Sequence, residues 1–182
     1  MKRIVAIICA ASLVFLTSCN GKAGKVFSAV YDVFVKSDDE YIDEAIQSII
    51  TAAQENKPEV IEALFSKTAQ KEAPDIGEKS KEVASIFKDT VSFAETAGTG
   101  KQESKSVDHG KIKKSFKQGT YVYTNEVTYW INFELCIRDD FDENNIGLKY
   151  LCVIDLRYHD ESYTSTALED FDYGIRIVGA AE

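Results

Sequence analysis

EVTYWINFELCIRDDFDENNIGLKYLCVIDLRYHD, residues 126–160, sets two runs of β-branched and aromatic residues on either side of DDFDENN, a cluster that favours a turn. Two such runs around a polar connection read as a β-hairpin. The pairing that sets apolar opposite apolar matches Ile137 with Tyr150, Leu135 with Cys152, Phe133 with Ile154, Ile131 with Leu156 and Tyr129 with Tyr158. One face of the hairpin is then apolar. The other carries Trp130, Asn132, Glu134, Cys136, Val153, Asp155, Arg157 and His159. In this register Cys136 and Cys152 point to opposite faces, whereas a disulfide needs Cβ atoms about 4 Å apart, so free thiols are expected. The same register sets Trp130 opposite Arg157, a cation–π contact that would cover the outer face.

Further strands are expected in DTVSFAET (89–96), KIKKSF (111–116), TYVYT (120–124) and DYGIRIV (172–178). The first half of the chain has a different period. Ser37-Asp38-Asp39-Glu40 is a capping box, and behind it Tyr41, Ile42, Ala45, Ile46, Ile49, Ile50 and Ala53 line one helical face. NKPEVIEALFSKTA (56–69) begins a second helix with Asn56, an early Pro58 and Glu59, and shows Val60, Ile61, Leu64 and Phe65 to a core. PDIGEKSKEVASIF (74–87) forms a third that buries Ile76, Val83, Ile86 and Phe87. Helices followed by strands, without alternation, make an α+β fold in which the N-terminal helices pack on one face of a curved antiparallel β-sheet.

These same segments, together with DHGKIKKS (108–115), DDFDENNIGLKYLCV (139–153) and YGIRI (173–177), resemble bacterial lipoproteins catalogued as domain of unknown function 5104. The resemblance runs from Ser37 to Val178. It implies a nuclear transport factor 2-like cone, a bent sheet wrapped around helices, and it implies no activity. Ser80 departs from the pattern, standing where a larger apolar residue is expected.

The N-terminus argues for location. Met1-Lys2-Arg3 is followed by the apolar run IVAIICAASLVFL (4–16), too short for the roughly 20 residues of a membrane-spanning helix and laid out like a secretory signal. Leu16-Thr17-Ser18-Cys19 resembles a lipobox, in which a thiol accepts a diacylglyceryl group and the chain is cut before it. The expected organisation is a signal peptide over 1–18, a lipid-anchored N-terminus with a short tether or helix over 19–36, and a single domain over 37–179. Membrane lipid is then a partner through acylated Cys19, on the extracytoplasmic face. Removing residues 1–18 takes away Lys2 and Arg3 and no acidic residue, so the net charge falls from −9 to −11. Such acidity opposes binding to nucleic acid.

Motifs for chemistry are sparse. Asp140, Asp142 and Asn144 start like a calcium loop, but the turn glycine is missing and Leu151 stands where the bidentate glutamate belongs. His109 and His159 have no partner motif and read as surface residues. Glu95 shares the parity of Val91 and Phe93. No catalytic residue, metal site or cofactor is assigned. The reading is a non-enzymatic binding module for a surface protein or a small apolar ligand. Its candidate surface is Trp130, Arg157, Tyr129, Tyr150 and Tyr158. The alternative is a small-molecule enzyme using the cone pocket, with tyrosine hydroxyls as donors.

Overall fold

The computed structural model describes residues 36–88, 91–96 and 101–179. The expected signal over 1–18, Cys19 and all but the last residue of the 19–36 segment lie outside the described residues, as does the side chain of Glu95. The chain divides at Ser37/Asp38, and every residue of both apolar clusters below belongs to the compact unit Asp38–Glu182.

Helix α1 spans Asp38–Gln54 and buries Ile42, Ala45, Ile46, Ile49, Ile50 and Ala53, as its periodicity predicts, together with Ala52, which was not expected, while Tyr41 is only half-buried. Asn56 closes it in the left-handed region at φ 54°, where asparagine is tolerated, rather than opening the next helix. The second predicted helix is two short ones, α2 (Pro58–Ala63) and α3 (Lys67–Glu72). Between them Phe65 pairs like a strand residue with Leu148: the Ser66 amide donates to the Leu148 carbonyl at 2.9 Å, and the Leu148 amide donates to Leu64 at 2.8 Å. Ser66 then caps α3 by accepting from the Ala69 amide at 3.1 Å. Val60, expected in the core, is exposed. Helix α4 (Ile76–Phe87) buries Ile76, Val83 and Phe87, with Ile86 partly covered and Ser80 fully buried.

Six strands form one curved sheet: β1 (Val91–Thr96), β2 (Gln102–Asp108), β3 (Lys111–Thr124), β4 (Thr128–Asp139), β5 (Gly147–Asp155) and β6 (Gly174–Val178). Their order is β1-β3-β4-β5-β6, and β2 pairs with the first half of β3 while β1 pairs with the second. KIKKSF and TYVYT are therefore one strand. Strand β2 was not expected, because QESKSVD is exposed along its whole length and shows no apolar alternation. All pairs are antiparallel except β5 with β6, which is parallel and so requires a crossover.

The hairpin register differs from the expected one. Phe133 faces Leu151, Ile131 faces Val153, Trp130 faces Ile154 and Tyr129 faces Asp155, with a bulge that leaves Lys149 unpaired between Tyr150 and Leu148. The slip is three residues, an odd number, so β5 turns over. Tyr150, Cys152 and Ile154 lie on the outer face, while Leu148, Leu151 and Val153 face the helices. Apolar matching could not choose between the registers because β5 is apolar on both sides, with every residue from Tyr150 to Asp155 buried. Cys136 and Cys152 thus share a face, contrary to expectation. Both are free. Cys152 pairs with Asn132, four residues along β4 from Cys136, a separation of about 13 Å at strand rise.

The inner face is filled. Phe87, Phe116, Phe133, Leu148 and Leu151 have no exposed surface and pack with α1, α2 and α4 in one cluster.

Candidate functional site

Part of the outer face, around Trp130 and Ile154, is also covered. Trp130, Cys152, Ile154 and Ala167 form a second buried cluster, with Tyr121, Leu156, Tyr163, Leu168 and Val178 packed against it. Its lid is the crossover from β5 to β6, a 3₁₀ turn (Glu161–Tyr163) followed by helix α5 (Thr164–Ala167). Arg176 of β6 ties this segment down by donating to the Ala167 carbonyl and stacking over Phe171 at 4.4 Å.

The expected surface of five residues is not one surface. Trp130 is buried, lies 4.7 Å edge-on to Tyr121, and its indole N–H has no partner among the described residues. Tyr150, also buried, donates its hydroxyl to Asn132 at 3.1 Å, and burial raises its pKa. Tyr129 lies on the opposite face, edge-on to Phe87 at 5.2 Å. Arg157 lies beyond the end of β5 and does not face Trp130. It grips Asp155 with Nε and a terminal nitrogen, the latter at 2.7 Å, and lies 5.4 Å over the exposed Tyr158 ring. Asp155 takes the inner-face position opposite Tyr129 where Tyr158 was expected.

The buried acids are held ionised. Burial works to raise the Asp155 pKa, but the Arg157 guanidinium and amide outweigh it and the net shift is downward. Asp139 accepts from the amides of Phe141 and Asp142 at 3.0 and 3.1 Å, from Asn145 at 2.9 Å, and pairs with Lys113 at 3.1 Å. Those donors overcome the opposing effect of burial and bring its pKa down to about 2. The calcium-like residues serve the same loop. Asp140 pairs with Arg138 and accepts from the Ile112 amide, and Asp142 caps the 3₁₀ turn at Glu143–Asn145. Burial raises the Cys136 thiol and pushes the Cys152 thiol up to about 11, away from nucleophilic chemistry.

His109 occupies the β2–β3 turn at φ 48° and is exposed. His159 stacks on Tyr163 with ring centroids 4.2 Å apart and donates Nε2–H to the Gly179 carbonyl at 3.2 Å. It helps to line a depression of about 400 Å³ with Tyr121, Leu156, Asp160 and Ser162, at the border of the Trp130 cluster. Apolar periodicity alone could not have located this site, because its polar rim lies in a connection. A second depression, about 500 Å³, lies between α2, α3 and the β4–β5 loop, lined by Glu59, Glu62, Phe65, Gln70, Glu143 and Ile146 among others. No described helix is long and apolar enough to cross a membrane.

A family model described as "Domain of unknown function (DUF5104)" matches residues 48–156. No curated protein and no solved structure matches the chain. The matched stretch ends at Leu156, so Tyr121 and Leu156 of the outer depression fall within it and His159, Asp160 and Ser162 fall beyond.

Proposed function

Because the chain belongs to the DUF5104 family, whose description names a domain and no activity, we propose a function from its own residues: a lipid-anchored extracytoplasmic lipoprotein whose folded unit is a non-enzymatic binding module. The anchor rests on Leu16-Thr17-Ser18-Cys19 after a cationic end and a short apolar run. A diacylated cysteine holds a domain stably where a single chain would not. We also read the helix-on-sheet arrangement as a nuclear transport factor 2-like cone.

The observation that carries the binding reading is the distribution of space around the sheet. Phe87, Phe116 and Phe133 fill the inner face, where a cone enzyme would keep its pocket. The depression bordered by aromatic residues lies on the outer face instead. The buried acids Asp139 and Asp155 are lowered by their partners, whereas a general acid at neutral pH needs a raised pKa.

Two measurements test the two halves. Cys19→Ala should abolish metabolic labelling with a fatty acid and leave the signal uncut; labelling that survives removes the anchor. The unit Asp38–Glu182, incubated with lipid extracts and small-molecule extracts of its own cell, should retain a compound that Ser162→Arg releases. Turnover of any such compound would make the protein an enzyme.

A further inference from the structure

The rim of the outer depression offers acceptors. Asp160 is an exposed carboxylate; the Ser162 hydroxyl and the amides of Ser162 and Tyr163 lower its pKa. The Gly179 carbonyl can only accept, so His159 must carry a proton on Nε2; in its neutral form the ring keeps a lone pair on Nδ1. Ser162 gives its hydroxyl proton to Asp160 and retains its own lone pairs. Behind the rim stands an aromatic and aliphatic wall. Tyr121 lies 4.7 Å from Trp130 and 6.2 Å from Tyr123, and Leu156 packs on the same cluster. Arg157, the nearest cation along the chain, is turned away onto Asp155.

These features select by charge as well as by shape. A ligand carboxylate would meet Asp160 with like charge. An alcohol could donate a hydrogen bond to the carboxylate but would lack the attraction between two opposite charges. An ammonium satisfies the carboxylate, and an aromatic lining that includes Tyr121 suits a cation. The net charge of −9 adds a favourable field for a cation. We infer that the outer depression binds a small organic ammonium, with its apolar body against Tyr121 and Leu156 and its N–H donors on Asp160 and the His159–Ser162 rim. This names the ligand class for the binding module proposed above and rests on that reading.

Three probes of similar shape test it: 2-phenylethylamine, 2-phenylethanol and 3-phenylpropionate, titrated into the unit Asp38–Glu182, which holds both apolar clusters. Saturation-transfer NMR and the emission of Trp130 report binding. The amine should bind about tenfold more tightly than the alcohol, and the carboxylate should show no saturable binding. Asp160→Asn should bring the amine close to the level of the alcohol and weaken the alcohol by much less than the amine. Ser162→Arg, an exposed substitution that offers Asp160 an internal cation, should release the amine with no loss of the urea midpoint. Equal binding of the three probes, no binding of any, or an Asp160→Asn variant that keeps full amine affinity overturns the inference. If the amine fails while an extract compound is still retained and then released by Ser162→Arg, the ligand class falls and the binding module stands.

Discussion

The indole ring of Trp130 occupies the space where a side chain at Gly119 would stand: a Cβ built on Gly119 falls 2.0 Å from Cζ2 and 2.5 Å from Cη2. Glycine is required here by contact rather than by backbone dihedral angle. Gly119→Ala should push the ring against the crossover, at a cost of about 1–3 kcal/mol, typical of overpacking. Urea unfolding checks the magnitude, and a red shift of native emission checks the displacement. In combination with Trp130→Ala the two losses should sum to less than their separate values, because the clash is gone.

Where β4 and β5 are covered on both faces, the sheet should be sensitive on both. Phe133→Ala, on the inner face, should cost about 3–5 kcal/mol, and Ile154→Ala, on the outer face under the crossover, about 2–5 kcal/mol. An Ile154→Ala variant as stable as the parent chain would mean that the crossover does not cover Ile154. Expectation from the sequence placed Ile154 under the helices, so the separating measurement is the local one: Ile154→Ala should change Trp130 emission, and Phe133→Ala should leave it nearly unchanged.

Asp139 gives the β4–β5 loop an acid limb. Its carboxyl is held down to about 2 in the folded chain, against an ordinary value of 3.8. A depressed folded pKa contributes stability above the unfolded value, and that contribution is lost as pH falls through the folded one. The contribution at neutral pH is about 2 kcal/mol, fading between about pH 4 and 2. Asp139→Asn should lower neutral stability by an amount of that order and flatten the acid side of the stability curve. Parallel curves for the two proteins below pH 5 would show that Asp139 does not carry the linkage.

Ser80 is fully buried on α4, and its hydroxyl has no partner among the described residues. Ser80→Ala should therefore stabilise the unit by about 1 kcal/mol, through relief of an unsatisfied hydroxyl and better helix propensity. A loss on this substitution would reveal a bond that the hydroxyl makes.

Periodicity resolved the parts of this fold that have one apolar side. The face of α1 from Ile42 to Ala53 and the alternation of β4 from Tyr129 to Cys136 were legible because each sets apolar residues against polar ones. The errors share a cause. Strand β5 is apolar on both sides, so its register was undetermined, and with it the faces of Tyr150 and Cys152 and the partner of Trp130. What fixes the register is local: Gly147 lies at φ 123° against the Leu64–Ser66 link, and Asp139 binds the loop amides. Neither shows in a hydrophobic pattern. Asp160 and Ser162 come together with Tyr121 only through the crossover, across a sequence distance no motif spans.

The proposed lipid anchor and the proposed ligand on the outer face of the sheet are tested together by the intact mass of the protein purified from its own membrane, measured under conditions that preserve non-covalent complexes. The chain should begin at Cys19, carry a covalent lipid on that residue, and hold a dissociable small molecule that Ser162→Arg loses. A chain that retains residues 1–18, or begins at Cys19 without a lipid, contradicts the anchor; a lipidated chain with no dissociable adduct, or an adduct indifferent to Ser162→Arg, contradicts the site.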